Sequence, residues 1–131
     1  MKEMKTGITG NAEILITEKE LACTVESGSL PVAATPVMVA MMEKAACNCI
    51  NEYMENDETT VGTELNVKHV AASPLGAVIK AEAELLEINS REFTFNVRAY
   101  DNSGLIGEGI HKRFLVFGEK FTAKANAKLN K

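Results

Sequence analysis

The stretch AVIKAEAELLEINSREFTFNVRAYDNSGLIGEGIHKRFLVF, residues 77–117, decides how this chain folds. Ile79, Ala81, Ala83 and Leu85 alternate with Lys80, Glu82 and Glu84, and Phe93, Phe95, Val97 and Ala99 alternate with Thr94, Asn96 and Arg98. Successive side chains of a strand point to opposite faces, so this period of two predicts strands with one buried face. The joins Asn89-Ser90-Arg91 and Asp101-Asn102-Ser103-Gly104 are short and built of turn residues. Strands at about 77–88, 92–100 and 105–117 should therefore form antiparallel hairpins.

Upstream, residues 62–70 read as a further strand of the same meander, with Val61, Thr63, Leu65, Val67 and His69 on one face. Before it lies a helix over about 36–53. Thr35 can cap its free N–H groups, and Pro36 at the first helical position forfeits no hydrogen bond. At 100° per residue, Met38, Met42, Ala46, Cys49, Ile50 and Tyr53 oppose a wet arc of Lys44, Asn48, Asn51, Glu52 and Glu55. The run Val37 to Met42 is apolar nearly all round, so the first two turns should be enclosed by other structure. Leu21–Val25 reads as a strand ended by Gly28, Ser29 and Pro31, residues 1–12 as a loose entry, and residues 118–131 as a solvated tail with a helical turn or more.

One strand, one enclosed helix and a four-strand antiparallel meander make a single α+β domain, residues 1–131 with a core at about 14–117. About five strands curve around one central helix, which is the hotdog pattern. One helix on one face of a small sheet leaves edges and a flank uncovered, and a second copy would close them, so a homodimer is expected.

The formal charge of −4 argues against a nucleic-acid partner, which needs clustered Lys and Arg. There is no signal-peptide h-region and no apolar run near the ~20 residues that span a bilayer, so the expectation is a cytoplasmic protein without a membrane partner. Cys23, Cys47 and Cys49 are an odd count at unsuitable spacing and read as reduced, buried thiols. With two histidines in the chain, no metal site is expected.

His69 falls on the apolar face, where it reads either as a core histidine bonded to backbone or as a catalytic imidazole. Glu43 neighbours Val39, Ala40, Ala46 and Cys47 with no basic residue on that helix face. It is either a solvated boundary residue or a carboxylate perturbed by burial unless something pairs with it. Thr35 is a cap, and its hydroxyl also stands at the positive end of a buried helix, where an oxygen developing negative charge would be stabilised. Gly62 starts its strand with an N–H that a ligand can approach. Gly107 and Gly109 interrupt the last strand, as a bulge or a close ligand approach, just before Lys112 and Arg113, cations that either face solvent or meet phosphates.

The segments ATPVMVAMMEKA (34–45), VGTELNVKHVAASPLGA (61–77) and GEGIHKRFLV (107–116) resemble the fluoroacetyl-CoA thioesterase-like family of hotdog acyl-CoA thioesterases. The resemblance runs from about Ser29 to Phe117 and rests on joint spacing: Thr35 eight residues before Glu43, His69 twenty-six after it, Gly62 seven before His69. It implies that Thr35, Glu43 and His69 are catalytic and that the Gly62 N–H helps hold the thioester oxygen. The implied reaction is hydrolysis of a short or branched acyl-CoA to free acid and CoA, with CoA part of the substrate and no separate cofactor. Residues 29–34 carry none of the aromatic lid residues of fluoroacetyl-CoA-specific members, so a strong preference for the fluorinated ester is not expected. A hotdog enoyl-CoA hydratase or dehydratase, which would also use His and a carboxylate, and a non-catalytic acyl-CoA binding or sensing module are the alternatives.

Overall fold

The alternation at 79–85 and 93–99 meets its expected partner: Ile79, Ala81, Ala83, Leu85, Phe93, Phe95, Val97 and Ala99 are all buried under one long helix. The computed structural model describes residues 1–130. Its main elements are β1 (Thr9–Leu15), α1 (Ala22–Val25), α2 (Thr35–Ile50), β2 (Glu58–His69), β3 (Val78–Asn89), β4 (Glu92–Asp101), β5 (Gly104–Phe117) and α3 (Gly118–Asn126). The five strands form one antiparallel sheet in the order β1-β3-β4-β5-β2. Only β3-β4-β5 is a meander. The expected four-strand meander is corrected, because β2 pairs with the far side of β5 and forms the sheet edge.

The first strand is not at 21–25. It is β1, which begins within residues 1–12, the segment expected to be a loose entry, and runs on to Leu15. Its inward residues are Gly10, Ala12 and Ile14, which carry too little apolar bulk to register as a strand face. Their size has a cause: a Cβ on Gly10 would lie 2.3 Å from the Ala45 carbonyl oxygen and 2.4 Å from the Cys49 nitrogen. The backbones of β1 and α2 touch, so only glycine fits. Leu21–Val25 instead makes a single bridge, Leu21 with Ala33, and then one helical turn that Glu26 ends in the left-handed region at φ 63°. Just upstream, Thr17 and Glu20 form a reciprocal capping box.

Helix α2 starts one residue earlier than expected, at Thr35, with Ala34 as its N-cap and no side chain on its free N–H groups. It ends at Ile50 and passes into a 3-10 turn at Asn51–Tyr53. Met38, Met42, Ala45, Ala46, Cys49 and Ile50 are buried. The first two turns are less enclosed than their apolar run suggested: Ala40 is exposed and Val37, Val39 and Met41 are half-buried. The thiols differ too. Cys23 is exposed, contrary to expectation, whereas Cys49 is buried, donates to the Ile8 carbonyl at 3.3 Å, and is pushed up to about 11 by desolvation. The tail forms α3, all but its first residue exposed. No described helix is long and apolar enough to cross a membrane.

Candidate active site

Thr35 does not cap its helix. Its hydroxyl lies 2.7 Å from His69 Nδ1, which β2 delivers from the opposite wall. The pairing of His69 with Gly107 and of Gly107 with Ala99 puts the imidazole on the sheet face that α2 covers, as the alternation required. With Nε2 protonated the hydroxyl donates to Nδ1, and in the other tautomer it accepts. His69 Nε2 is buried without a hydrogen-bond partner among the described residues. The pair opens on a cleft of about 300 Å³ lined chiefly by small residues, among them Ala22, Val32, Ala33, Ala71 and Ala72. Thr35 is also the first residue of a 16-residue helix, whose dipole favours negative charge at that end.

Glu43 lies elsewhere. Eight residues of helix carry it about 12 Å along the axis from Thr35. Its carboxylate receives Arg113 from β5 at 3.3 Å, the pairing that the sequence left open. Lys112 and Arg113 were grouped as cations able to meet phosphates, and the structure separates them. Arg113 is only 6% exposed and spends its guanidinium inside: Nε donates to Thr60 Oγ1 at 2.9 Å, NH2 to the Thr60 carbonyl at 3.0 Å, and NH1 to Glu43. Lys112, next in the strand, points to the other face. Gly107 and Gly109 make room for protein: a Cβ would lie 2.5 Å from Met38 Sδ at the first and 2.2 Å from the Asn66 carbonyl oxygen at the second.

Gly62 belongs to the Glu43 end. A Cβ there would lie 2.7 Å from Glu43 Oε2 and 3.2 Å from His111 Cε1. The expected alternation of Val61, Thr63, Leu65, Val67 and His69 breaks here, because the register with β5 shifts between Gly62 and Glu64. This bulge adds one residue, so Gly62 and Leu65 both face inward while Val61 turns out. Two side chains bond across the break: Thr63 Oγ1 donates to the Lys112 carbonyl at 3.2 Å, and His111 Nδ1 reaches the Glu64 carbonyl at 2.8 Å.

His111 and Thr60 are the residues that sequence reasoning missed. His111 is fully buried, stacks on Phe95 with centroids 6.2 Å apart, and presents Nε2 to Arg113 NH1 at 3.2 Å. A guanidinium can only donate and a carbonyl can only accept, so His111 is neutral, protonated on Nδ1. Burial first, and the charge of Arg113 next among the lowering causes, hold its pKa below the ordinary value, while the Glu64 carbonyl and Glu43 pull the other way. Its signal was the period of two, which puts residues 109, 111, 113 and 115 on one face.

The arrangement provides a hydroxyl–imidazole pair at a helix start, a carboxylate held by a buried cation, and a neighbouring glycine. Among the described residues no three His, Cys, Asp or Glu side chains are grouped to hold a metal. The family described as fluoroacetyl-CoA-specific thioesterase matches residues 16–119. The fluoroacetyl-CoA thioesterase of Streptantibioticus cattleyicolor is 38% identical over 97 residues, 74% of this chain and 70% of that one. A solved structure of a fluoroacetyl-CoA thioesterase superposes with a TM-score of 0.90 at 30% identity, covering 97% of this chain and 98% of the other. A Thermus thermophilus hypothetical protein of the thioesterase superfamily gives 0.90 at 25% identity over 99% and 96%. A hot-dog-like protein from Thermanaerovibrio acidaminovorans, 13% identical with a TM-score of 0.82 over 94% and 91%, shares the fold. With the family matched across most of its length, the curved sheet around one helix is a hotdog fold and the chain belongs to the fluoroacetyl-CoA-specific thioesterase family.

Proposed function

We propose that this chain hydrolyses short or branched acyl-CoA thioesters, with Thr35, Glu43 and His69 as its reacting groups, and that it works as a homodimer. The observation that carries the reading is the 2.7 Å contact of Thr35 Oγ1 with His69 Nδ1 at the wall of a cleft. A hydroxyl bonded to an imidazole is the arrangement acyl transfer needs, because the ring can accept the proton as oxygen binds or attacks the carbonyl. The start of α2 favours the charge that develops on the thioester oxygen. Glu43 supplies the base or nucleophile. Hydrolysis itself is supported by the family and by the named activity of its relatives.

The dimer is supported by what one copy leaves open. β2 is an edge strand of 12 residues, and Leu65, on its inward face, is 41% exposed beside the half-covered turns of α2. An edge of that length with apolar neighbours is one that another strand can cover. Two β2 strands paired antiparallel about an axis near Leu65 would set His69 beside the partner subunit's Gly62 and Glu43. That geometry joins in one site two clusters lying about 12 Å apart along a single helix. Light scattering of the purified protein should give twice the chain mass at micromolar concentration, and a stable monomer would sink this part of the reading.

Selectivity follows from the cleft wall. Alanines and Val32 make fewer close contacts than aromatic rings would, and one small group in an apolar pocket is worth only ~1 to 3 kcal/mol. Thiol release from a panel of acyl-CoA esters should show several short or branched esters cleaved, and kcat/KM for fluoroacetyl-CoA over acetyl-CoA below about 10². Absence of turnover with every ester would reject the hydrolytic reading, and a preference of many thousandfold for the fluorinated one would reject the selectivity.

A further inference from the structure

We propose that His111 is a positioning residue: as a neutral imidazole it fixes the Arg113 guanidinium in the orientation that holds Glu43 for reaction. The inference rests on Glu43 being a reacting group, and goes beyond it by assigning a role to a buried side chain that touches no substrate.

The guanidinium is anchored on one side by Thr60, through Nε at 2.9 Å and NH2 at 3.0 Å. NH1 alone faces the carboxylate, at 3.3 Å, and the same nitrogen meets His111 Nε2 at 3.2 Å. The orientation of the NH1 edge toward Glu43 therefore depends on the acceptor behind it. That acceptor is fixed in turn. His111 Nδ1–H donates to the Glu64 carbonyl across the bulge at 2.8 Å, and a ring with Nδ1 protonated must offer its lone pair on Nε2. Phe95 from β4 stacks on the ring, and Gly62 from β2 leaves the space that Cε1 and the Glu43 carboxylate occupy. A chain of contacts thus runs from the backbone of β2 through His111 and Arg113 to α2. Without that acceptor one NH1 hydrogen loses its partner in a side chain only 8% exposed, and the guanidinium turns from Glu43 to satisfy it, because buried donors without partners are costly.

Two amides separate this role from packing. His111→Gln places an acceptor near Nε2 and keeps the bond to Arg113, whereas His111→Asn reaches only the Glu64 carbonyl. With the acyl-CoA ester that the wild type turns over fastest, H111N is expected to lower kcat about 10-fold or more with KM within about threefold, and H111Q to stay within about threefold of wild type. In a Glu43→Gln background neither should cost further activity, since the group being positioned is gone. Equal losses for both amides, in both backgrounds, would mark His111 as packing and overturn the proposal, as would wild-type kcat in folded H111N. Wild-type turnover by E43Q would overturn it from the other side, by removing Glu43 from the reaction, and is distinguishable because it appears before His111 is touched. Thermal unfolding accompanies each variant. Should H111N not fold, Arg113→Lys, which keeps the charge without the fork, must show the same fall in kcat, and full activity there would overturn the proposal.

Discussion

Two glycines mark two unlike sides of helix α2. Gly10 on β1 lies against the backbone at Ala45 and Cys49, where the helix is sealed by Ile79, Ala81 and Leu85. Gly62 on β2 lies against the Glu43 carboxylate and the His111 ring, where the helix is only partly covered and the sheet ends. The same missing atom serves close backbone packing on one side and space for a charged side chain on the other. The sealed side carries the stability of the fold. The proposed reacting groups lie on the open side, which the proposed second copy would cover.

The largest effect should come from the open side. His69→Ala and Glu43→Gln are each expected to lower turnover by about 10² or more, as loss of a proton-transfer group does, with far-ultraviolet circular dichroism unchanged. Folded variants with full turnover would mean the chemistry lies elsewhere. Next comes the sealed side: Gly10→Ala forces a Cβ into helix backbone that cannot step aside, and unfolding in urea should show a loss of about 3 kcal/mol or more. A loss below about 1 kcal/mol would break the contrast, because it would show that β1 and α2 can separate.

Gly62→Ala sharpens the comparison. Its Cβ meets side chains rather than backbone, the Glu43 carboxylate tip at 2.7 Å and the His111 ring at 3.2 Å, so stability should fall less than at Gly10, by about 1 kcal/mol, while kcat falls about 10-fold as Glu43 is displaced. Equal stability losses at the two glycines would erase the distinction. The smallest effect is in the response to acid. The His111 pKa is lowered in the fold from 6.5, so below about that pH the unfolded chain binds the extra proton and stability falls. The slope cannot exceed about 1.4 kcal/mol per pH unit, and His111→Gln should remove this contribution. Urea unfolding of both proteins at pH 7.5 and pH 5.5 checks it, and equal losses would contradict a depressed His111.

The same division explains what the sequence made legible. β3 and β4 were plain because a sealed face with room for side chains selects Ile, Leu, Phe and Val in strict alternation. β1 was missed because its face is sealed too closely for side chains, so Gly10 and Ala12 gave no apolar signal. A capping box at Thr17 and Glu20 marked a helical turn ahead of Leu21, yet the β-branched and apolar run Leu21–Val25 reads as strand by composition. Thr35, Glu43, Gly62 and His69 were singled out through their joint spacing. His111 was missed and Arg113 was taken only for a cation facing solvent or phosphates, because charged or polar residues on a strand ordinarily mark its wet face. The register with Phe95 and Phe93 on β4 puts both on the inward face. The bulge at Gly62 was hidden for a related reason, since an extra residue preserves composition while reversing parity.

The central claim is that the hydroxyl–imidazole pair of one copy works with the carboxylate of another, and mixing the two least active variants tests it most directly. His69→Ala chains retain Glu43, and Glu43→Gln chains retain Thr35 and His69. If the site is shared across β2, unfolding the two together in equal amounts and refolding them makes about half the dimers mixed, each with one intact site. Activity should then recover to about a quarter of wild type, although neither variant alone exceeds about a hundredth. If all three groups act within one chain, no mixed dimer contains an intact site, and the refolded mixture would stay at the level of the separate variants.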